Sequence, residues 1–483
     1  MFPTRPADSP PRRVDLLVLL VGAGVLWRLI GLDVQSLWYD EAATIHVATA
    51  PDWLGALRGD RHPPVSFLAF RAWTGLFGAS DAALRLLPAL CSSLALVLFA
   101  RTVRGHLVAR ESAARLAIGL YAFSPFLIWH AQEVRMYPFV ELGSMLALAG
   151  ATARLDGCAH PRAAALATFC GTALASGSHY LGALSAGIVT VLALGSPGPL
   201  RPRALVAGLG IGGFLLWTPF LVTVLPDQLA TPWGHQGELG LRTLAELPAR
   251  MFLVESSSLP GPWDALMAIP ALAIAAALGV QAARVLFRRA GAQEARVLWA
   301  LAAAVVAAAT PGLFGVLNFA PKYLTPIAPL VLAATAAGIV ALRPGFARVA
   351  VAALLFVTAH TLLIHHRTTS IREDYRAAVA QLETAFQPGD AVVAVSGTPE
   401  GFSQAPLRHY LRHRPDILDA LVPLDIVLDD PQRVVSGTGR LHVIHRTAPY
   451  ADPLLARLRA ALTPTDAFGP LRNRIVYLRL REQ

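Results

Sequence analysis

Charge is scarce in this chain. Asp, Glu, Lys and Arg make up 15% of its 483 residues, against about 25% in a soluble globular protein. With 55% hydrophobic residues and a mean hydropathy of +0.51, that deficit excludes an ordinary soluble domain and selects a membrane protein. Cysteine is nearly absent. Cys91 and Cys170 fall inside apolar runs and Cys158 in a short loop, so the polar C-terminal segment has no disulfide framework. No Cys-x-x-Cys occurs, which argues against a structural zinc site. Internal repeats and long low-complexity runs are missing too. The basic N-terminus leads into an apolar run, as in a signal peptide. No small-residue cleavage site follows, and the run is expected to stay as a first helix. The net charge of +10 invites a nucleic-acid reading, but the arginines sit in short loops between apolar runs, which is the positive-inside signature. No nucleic-acid partner is expected.

A spanning helix needs roughly 20 apolar residues. Eleven candidates are present, at about 14–32, 83–103, 112–129, 138–154, 161–177, 179–195, 203–225, 264–286, 295–316, 323–342 and 346–365. The fifth and sixth are either one long helix or a pair joined by a tight turn at Ser176-Gly-Ser-His179. With Arg5, Arg12 and Arg13 in the cytoplasm, alternate loops fall inside, and each carries at least two arginines: Arg101 to Arg115, Arg154 to Arg162, Arg201 to Arg203, Arg284 to Arg296 and Arg343 to Arg348. The opposite set, 33–82, 130–137, 226–263 and 317–322, is longer or richer in acids, Trp, His and Pro. The expected architecture is an α-helical polytopic membrane core over 1–369, with a small extracytoplasmic α/β domain over 370–483. Strands are expected at 390–396, 441–444 and 475–480, and helices at 374–386 and 453–462. The tail carries no Gly-rich phosphate loop.

The outer loops hold the polar residues. Loop 33–82 is far longer than a hairpin needs and is expected to carry two surface helices, the second started by Pro63-Pro64. Asp40 and Glu41 are adjacent, so on a helix they point about 100° apart and cannot share one ligand face. Two readings stand for them: N-cap and N1 of a juxtamembrane helix, or active-site acids with separate roles. His62 opens the second surface helix, either capping it or aiming a donor at a phosphate. In Gln132-Glu-Val-Arg-Met-Tyr-Pro138 an extended chain would turn Glu133, Arg135 and Tyr137 one way, and Pro138 disfavours helix at Tyr137. Their bland role is to anchor helix ends. Lys322, beside Tyr323, runs against the positive-inside trend; it either snorkels or faces a lipid phosphate. His235 is a lone loop histidine, and with His62 a weak candidate for a metal. Arg28 and Glu141 lie within spans, where charges are functional candidates, yet both are near enough to the interface to snorkel.

Several short motifs occur in one order: Ser36-Leu-Trp-Tyr-Asp-Glu41, His62-Pro-Pro64, Gly78-x-x-Asp81-x-x-x-Arg85, Ser124-Pro125 with Gln132-Glu-x-Arg-Met-Tyr137, and Lys322-Tyr-Leu-x-Pro326. In that order they resemble the integral-membrane GT-C glycosyltransferases. The group most resembled is the bacterial one of protein-O-mannosyltransferases, aminoarabinose transferases and RgtA/B/C/D-like galacturonosyltransferases. The resemblance implies a polyprenyl-phosphate sugar donor, an envelope lipid, glycan or protein as acceptor, and inversion at the anomeric carbon. It implies Asp40 as catalytic acid/base and Glu41 as its support or an acceptor contact. His62, Arg135 and Lys322 would face the donor phosphate, with Glu133, Tyr137 and Tyr323 lining the substrate. Relatives often carry Arg where Lys322 stands, which would reduce a bidentate phosphate contact to a point charge. Some bind a divalent metal through a first-loop Glu; Asp60-Arg-His62 stands there instead, and metal dependence is left open. The resemblance places the chain in a bacterial inner membrane with its polar face outward. The competing class is a transporter or lipid flippase, which should show paired midplane charges, broken helices and repeated halves.

Overall fold

The computed structural model describes residues 16–230, 263–287, 291–313, 321–352, 354–355, 372–395, 403–438, 440–446, 452–471 and 475–481. Helices dominate: α1 (Leu16–Leu29), α2 (Tyr39–Thr49), α3 (Trp53–Arg58), α4 (Val65–Phe77), α5 (Asp81–Thr102), α6 (Glu111–Ala122), α7 (Pro125–Ala131), α8 (Tyr137–Leu155), α9 (Pro161–Ser178), α10 (Leu184–Gly195), α11 (Leu200–Leu215), α12 (Thr218–Thr223) and α13 (Leu225–Ala230). Further helices follow at Trp263–Leu286, Ala292–Leu313 and Ala328–Ala341. By length and composition Asp81–Leu107 and Leu200–Thr223 can each cross a membrane, and α6 with α7, bent by 45°, makes a third if taken as one span. Shorter apolar helices accompany them, among them Leu16–Leu29, Tyr180–Gly195 and Thr325–Ala341.

The bend between α6 and α7 has a local cause. Pro125 cannot donate to the preceding turn, and Ser124 restarts the helix by accepting from Leu127 N at 3.3 Å. The fifth and sixth expected spans are a broken pair. α9 ends at Ser178, and a 3-10 turn at Tyr180–Ala183 leads into α10. α8 and α9 approach through small residues: a Cβ on Gly143 would sit 2.6 Å from Ala175 N, and one on Gly150 would meet Thr168 N at 2.7 Å. Ser144 and Ser185 add a hydrogen bond of 2.7 Å between α8 and α10.

Snorkelling of Arg28 and Glu141 is overturned. Both side chains turn inward and are buried. A Cβ on Gly24 would meet Ala122 Cβ at 2.7 Å, so α1 and α6 lie close enough for Arg28 to donate to Ala122 O (2.8 Å) and Tyr121 O (3.2 Å). Arg28 also donates to Ser92 Oγ (2.9 Å), and Tyr121 Oη donates to Glu141 Oε1 (2.7 Å).

Loop 33–82 carries three short helices rather than two, α2, α3 and α4, with Pro64 at the N-cap of α4. The C-terminal sheet runs β1 (Ala391–Val395), β2 (Leu441–Arg446), β3 (Thr463–Leu471) and β4 (Ile475–Arg481), in the order β1-β2-β4-β3. β1 and β2 are parallel; β4 is antiparallel to both its neighbours. β3 went unexpected because Pro464 and Pro470 interrupt it. Proline is tolerated at a sheet edge, and the β3–β4 register is irregular at Pro464/Asp466 and Phe468/Leu471. One apolar core joins the sheet to the first loop: Leu37, Tyr39, Phe67 and Phe70 pack in one cluster with Tyr375, Leu382, Val392 and Ile444.

Candidate active site

The start of α2 organises the polar cluster around loop 33–82. Its N-cap is Trp38, not Asp40, which makes Asp40 the second and Glu41 the third helical residue. Glu41 Oε2 reaches back to accept from Trp38 N at 3.2 Å, half of a capping box. The indole has no acceptor with which to supply the other half. The 100° step then sends the two acids apart. Glu41 turns inward, where its side chain is 0% exposed. Arg85 grips it with Nε at 2.9 Å and Nη2 at 2.7 Å, Arg372 Nη1 adds 3.1 Å, and Val134 N donates at 2.9 Å. A carboxylate so occupied has no lone pair left for substrate. Asp40 turns outward, 25% exposed, with Arg135 Nη2 3.8 Å from its Oδ2. Arg135 Nη1 also donates to Asp40 O (3.0 Å) and Thr44 Oγ1 (2.9 Å), fixing the turn of helix that bears the acid.

The segment before α8 is a series of turns, not an extended strand, and Tyr137 is the first residue of that helix. Pro138 is tolerated because the first helical turn has unpaired N–H groups anyway. Glu133 and Arg135 therefore part. Glu133 accepts from Trp129 Nε1 (3.1 Å) and pairs with His130 Nδ1 (2.7 Å). Burial alone would raise the Glu133 carboxyl, but His130, Arg372 and Lys322 hold it down to about 2. Burial would likewise lower the Arg135 guanidinium, yet Asp40, Tyr137, Asp60 and Glu133 together raise it above its ordinary value. Arg135 Nε and His130 Nε2 are buried polar atoms without a hydrogen-bond partner among the described residues.

Asp60 and His62 form a pair, Oδ1 to Nδ1 at 2.6 Å. Burial pushes the His62 imidazole below its usual range against the pull of Asp60. For Asp60, burial is outweighed by His62 and Arg135, and the carboxyl falls below its usual value. The arrangement is thus a carboxylate accepting from a neutral ring, with the Nδ1 proton assigned from the hydrogen bond. His62 then keeps an acceptor at Nε2; only a second proton would make it the phosphate donor expected above. His179 lies 5.4 Å from His62 between ring centres and 5.2 Å from Tyr323. Lys322, the chain's one lysine, sets Nζ 5.8 Å from the Tyr137 ring centre. Tyr137, His179, Lys322 and Tyr323 line one narrow crevice.

Asp40, Asp60, His62, Glu133, Arg135, Tyr137, Lys322 and Tyr323 are thus brought into one cluster of interacting groups, while Glu41 turns inward to its own arginines. His235 lies outside the described residues. Among the described residues no group of three His, Cys, Asp or Glu side chains is placed to hold a metal. Asp60 and the Nδ1 of His62 are spent on each other, and His179 Nδ1 accepts from Leu181 N at 3.0 Å. Thr44, His130, His179 and Arg372 were not anticipated. The only advance sign of Arg372 is the charged trio Arg372-Glu373-Asp374 beyond the last apolar run.

The fold is that of the GT-C glycosyltransferases. ArnT from Cupriavidus metallidurans in the apo state is 15% identical with a TM-score of 0.64, covering 96% of this chain and 97% of ArnT. ArnT from Cupriavidus metallidurans bound to undecaprenyl phosphate gives 14% and 0.60, covering 96% and 98%. The archaeal oligosaccharyltransferase AglB from Archaeoglobus fulgidus, in complex with an inhibitory peptide and a dolichol-phosphate, gives 11% and 0.54, covering 96% of this chain and 74% of AglB. No family's sequence profile matches the chain, and no curated protein does.

Proposed function

We propose that the protein is a membrane glycosyltransferase. It moves a sugar from a polyprenyl-phosphate donor to an envelope lipid, glycan or protein at the outer face of a bacterial inner membrane, with inversion. In this reading the core over 1–369 crosses the membrane eleven times from a cytoplasmic N-terminus, and 370–483 forms an extracytoplasmic α/β domain. One observation carries the chemistry: of the four acids at the site, Asp40 is 25% exposed, while the side chains of Glu41, Asp60 and Glu133 are exposed by 0%, 5% and 2%. Asp40 alone is open to an incoming hydroxyl. The likeness in fold to ArnT, bound to undecaprenyl phosphate, and to AglB, with dolichol-phosphate, favours a lipid-phosphate donor.

The step follows from the charges. The acceptor O–H gives its proton to Asp40, and its oxygen attacks the anomeric carbon. The bond from that carbon to the phosphate oxygen breaks, and the electron pair leaves with the polyprenyl phosphate. Arg135 and Lys322 balance the charge that builds on the leaving oxygen, and Tyr137 and Tyr323 flank the crevice it leaves through. A single displacement inverts the configuration. Glu41 holds Asp40's helix in place rather than touching substrate.

Reconstitution with a panel of polyprenyl-phosphate sugars and extracted envelope lipids tests this. Asp40→Asn is expected to lower turnover by about 10²–10⁴ with an unchanged melting temperature, and the product anomer, read by NMR, should be opposite to the donor's. Transfer at the wild-type rate by Asp40→Asn would remove Asp40 from the chemistry.

A further inference from the structure

The two residues that flank Asp40 are held from the far end of the chain. Arg372 pairs with Glu41, and also donates to Gln132 O (2.8 Å) and Trp129 O (3.3 Å), with its guanidinium 4.5 Å from the Trp129 ring centre. The next residue, Glu373, accepts from Tyr39 N through Oε2 at 3.1 Å. Its other oxygen pairs with Arg446 Nε, at the end of β2, at 2.5 Å. The Arg446 guanidinium lies 4.9 Å from the centre of the Tyr39 ring. Residues 39 and 41 are thus gripped by residues 373 and 372, while Asp40 between them turns its partly exposed side chain towards Arg135.

A helix start leaves its first N–H groups without intrahelical partners, and a local side chain normally supplies the acceptors. Here Trp38 supplies none. The Tyr39 N–H finds its acceptor 334 residues away. The beginning of α2 is therefore complete only when the segment leading into the C-terminal sheet is docked. Further anchors keep it docked: Tyr410 Oη accepts from Leu37 N at 2.6 Å and donates to Asp81 Oδ2 at 2.8 Å, and Arg376 pairs with Asp81.

We propose that Arg372 and Glu373 are positioning residues for the reaction, and that the C-terminal domain sets the aim of Asp40 by clamping Tyr39 and Glu41. The proposal rests on the reading of Asp40 as the base. Because the clamp grips the acid's helix and not the phosphate crevice, its loss falls on turnover and spares donor binding.

The test uses the full-length protein in lipid nanodiscs. Glu373→Ala removes both the Tyr39 acceptor and the Arg446 partner; Glu373→Gln keeps an amide oxygen for Tyr39 N–H. With the donor that supports wild-type turnover, Glu373→Ala is expected to lower kcat by about 10- to 100-fold, with KM within about twofold of wild type. Glu373→Gln should restore most of kcat. Backbone hydrogen exchange over residues 38–45 should quicken in the Ala variant and not in the Gln variant, while exchange in α8 stays as in wild type. Arg372→Lys, which keeps the charge but not the fork, should resemble Glu373→Ala in kcat. Wild-type kcat in Glu373→Ala overturns the clamp, as does a loss shared equally by Gln and Ala, or a loss confined to KM. Should the wild type turn over no donor, the transferase reading falls alone; the exchange arm then decides the clamp, and unchanged exchange in Glu373→Ala sinks it.

Discussion

Two buried clusters in this protein are each built around arginine and glutamate and end differently. Inside the helices, Arg28, Ser92, Tyr121 and Glu141 form a buried group in which Arg28 donates to three carbonyls and a hydroxyl and Tyr121 donates to Glu141. Beyond those helices, around loop 33–82, Glu41 is equally closed between Arg85 and Arg372, but Asp40, Arg135 and His130 beside it keep exposed or unpartnered polar atoms. A charge inside a membrane helix is a functional candidate by default. The inner cluster is closed on its own partners, while the outer one has bonding capacity to spare, which is why the proposed reaction is placed there.

The widest test of that contrast is Arg28→Leu. Removing one partner from a buried charged network typically costs about 3–5 kcal/mol, so the melting temperature should fall steeply. Turnover per folded molecule should stay at the wild-type level. If activity dropped and stability held, the inner cluster would belong with the outer one. Lys322→Ala should act oppositely: near-native stability, and a loss of about tenfold in kcat/KM for the donor, the size of one weakened charge-assisted contact. Lys322→Arg should recover that loss, since the fork adds donors towards a phosphate.

The smallest effect is on acid stability. Glu133 moves from an ordinary 4.5 to about 2 in the folded chain. A carboxyl depressed in this way contributes stability that is fully present above pH 4.5 and is lost as the pH falls towards 2. Glu133→Gln should lower the melting temperature near neutrality, where that contribution is full, and flatten its profile as the pH falls across that window. An identical acid slope in both proteins would show that the His130 pairing carries no stability.

The candidate site was legible in the sequence where local chemistry decides it. Asp40 stands out because it follows an apolar span and precedes a helical pattern, and Lys322 because it breaks an arginine-only rule. Strand β1 is an unbroken apolar run, β2 and β4 are rich in Val, Ile and Leu, and all three read plainly. What escaped is set by distance or by exception. Nothing near Glu41 in the chain announces its bond to Arg372, 331 residues on. The helix cap at Trp38 breaks the usual residue preference, and the acceptor at this helix start is instead Glu373, 334 residues along the chain, which takes the Tyr39 N–H. β3 hid behind two prolines that only an edge position allows. The turns at 132–136 were invisible because Glu133 and Arg135 answer to partners on different helices.

The grip on Glu41 also has a timetable. Arg85 lies 44 residues downstream and Arg372 lies 331. At about 5–20 residues per second, the first arginine follows the acid within roughly 2–9 s of synthesis, and the second only after roughly 15–70 s. For most of the time the chain takes to be made, Arg85 is the only one of the two arginines that Glu41 can meet. A ribosome that stops short of residue 372 leaves behind a helix that carries its acid but not the clamp that aims it.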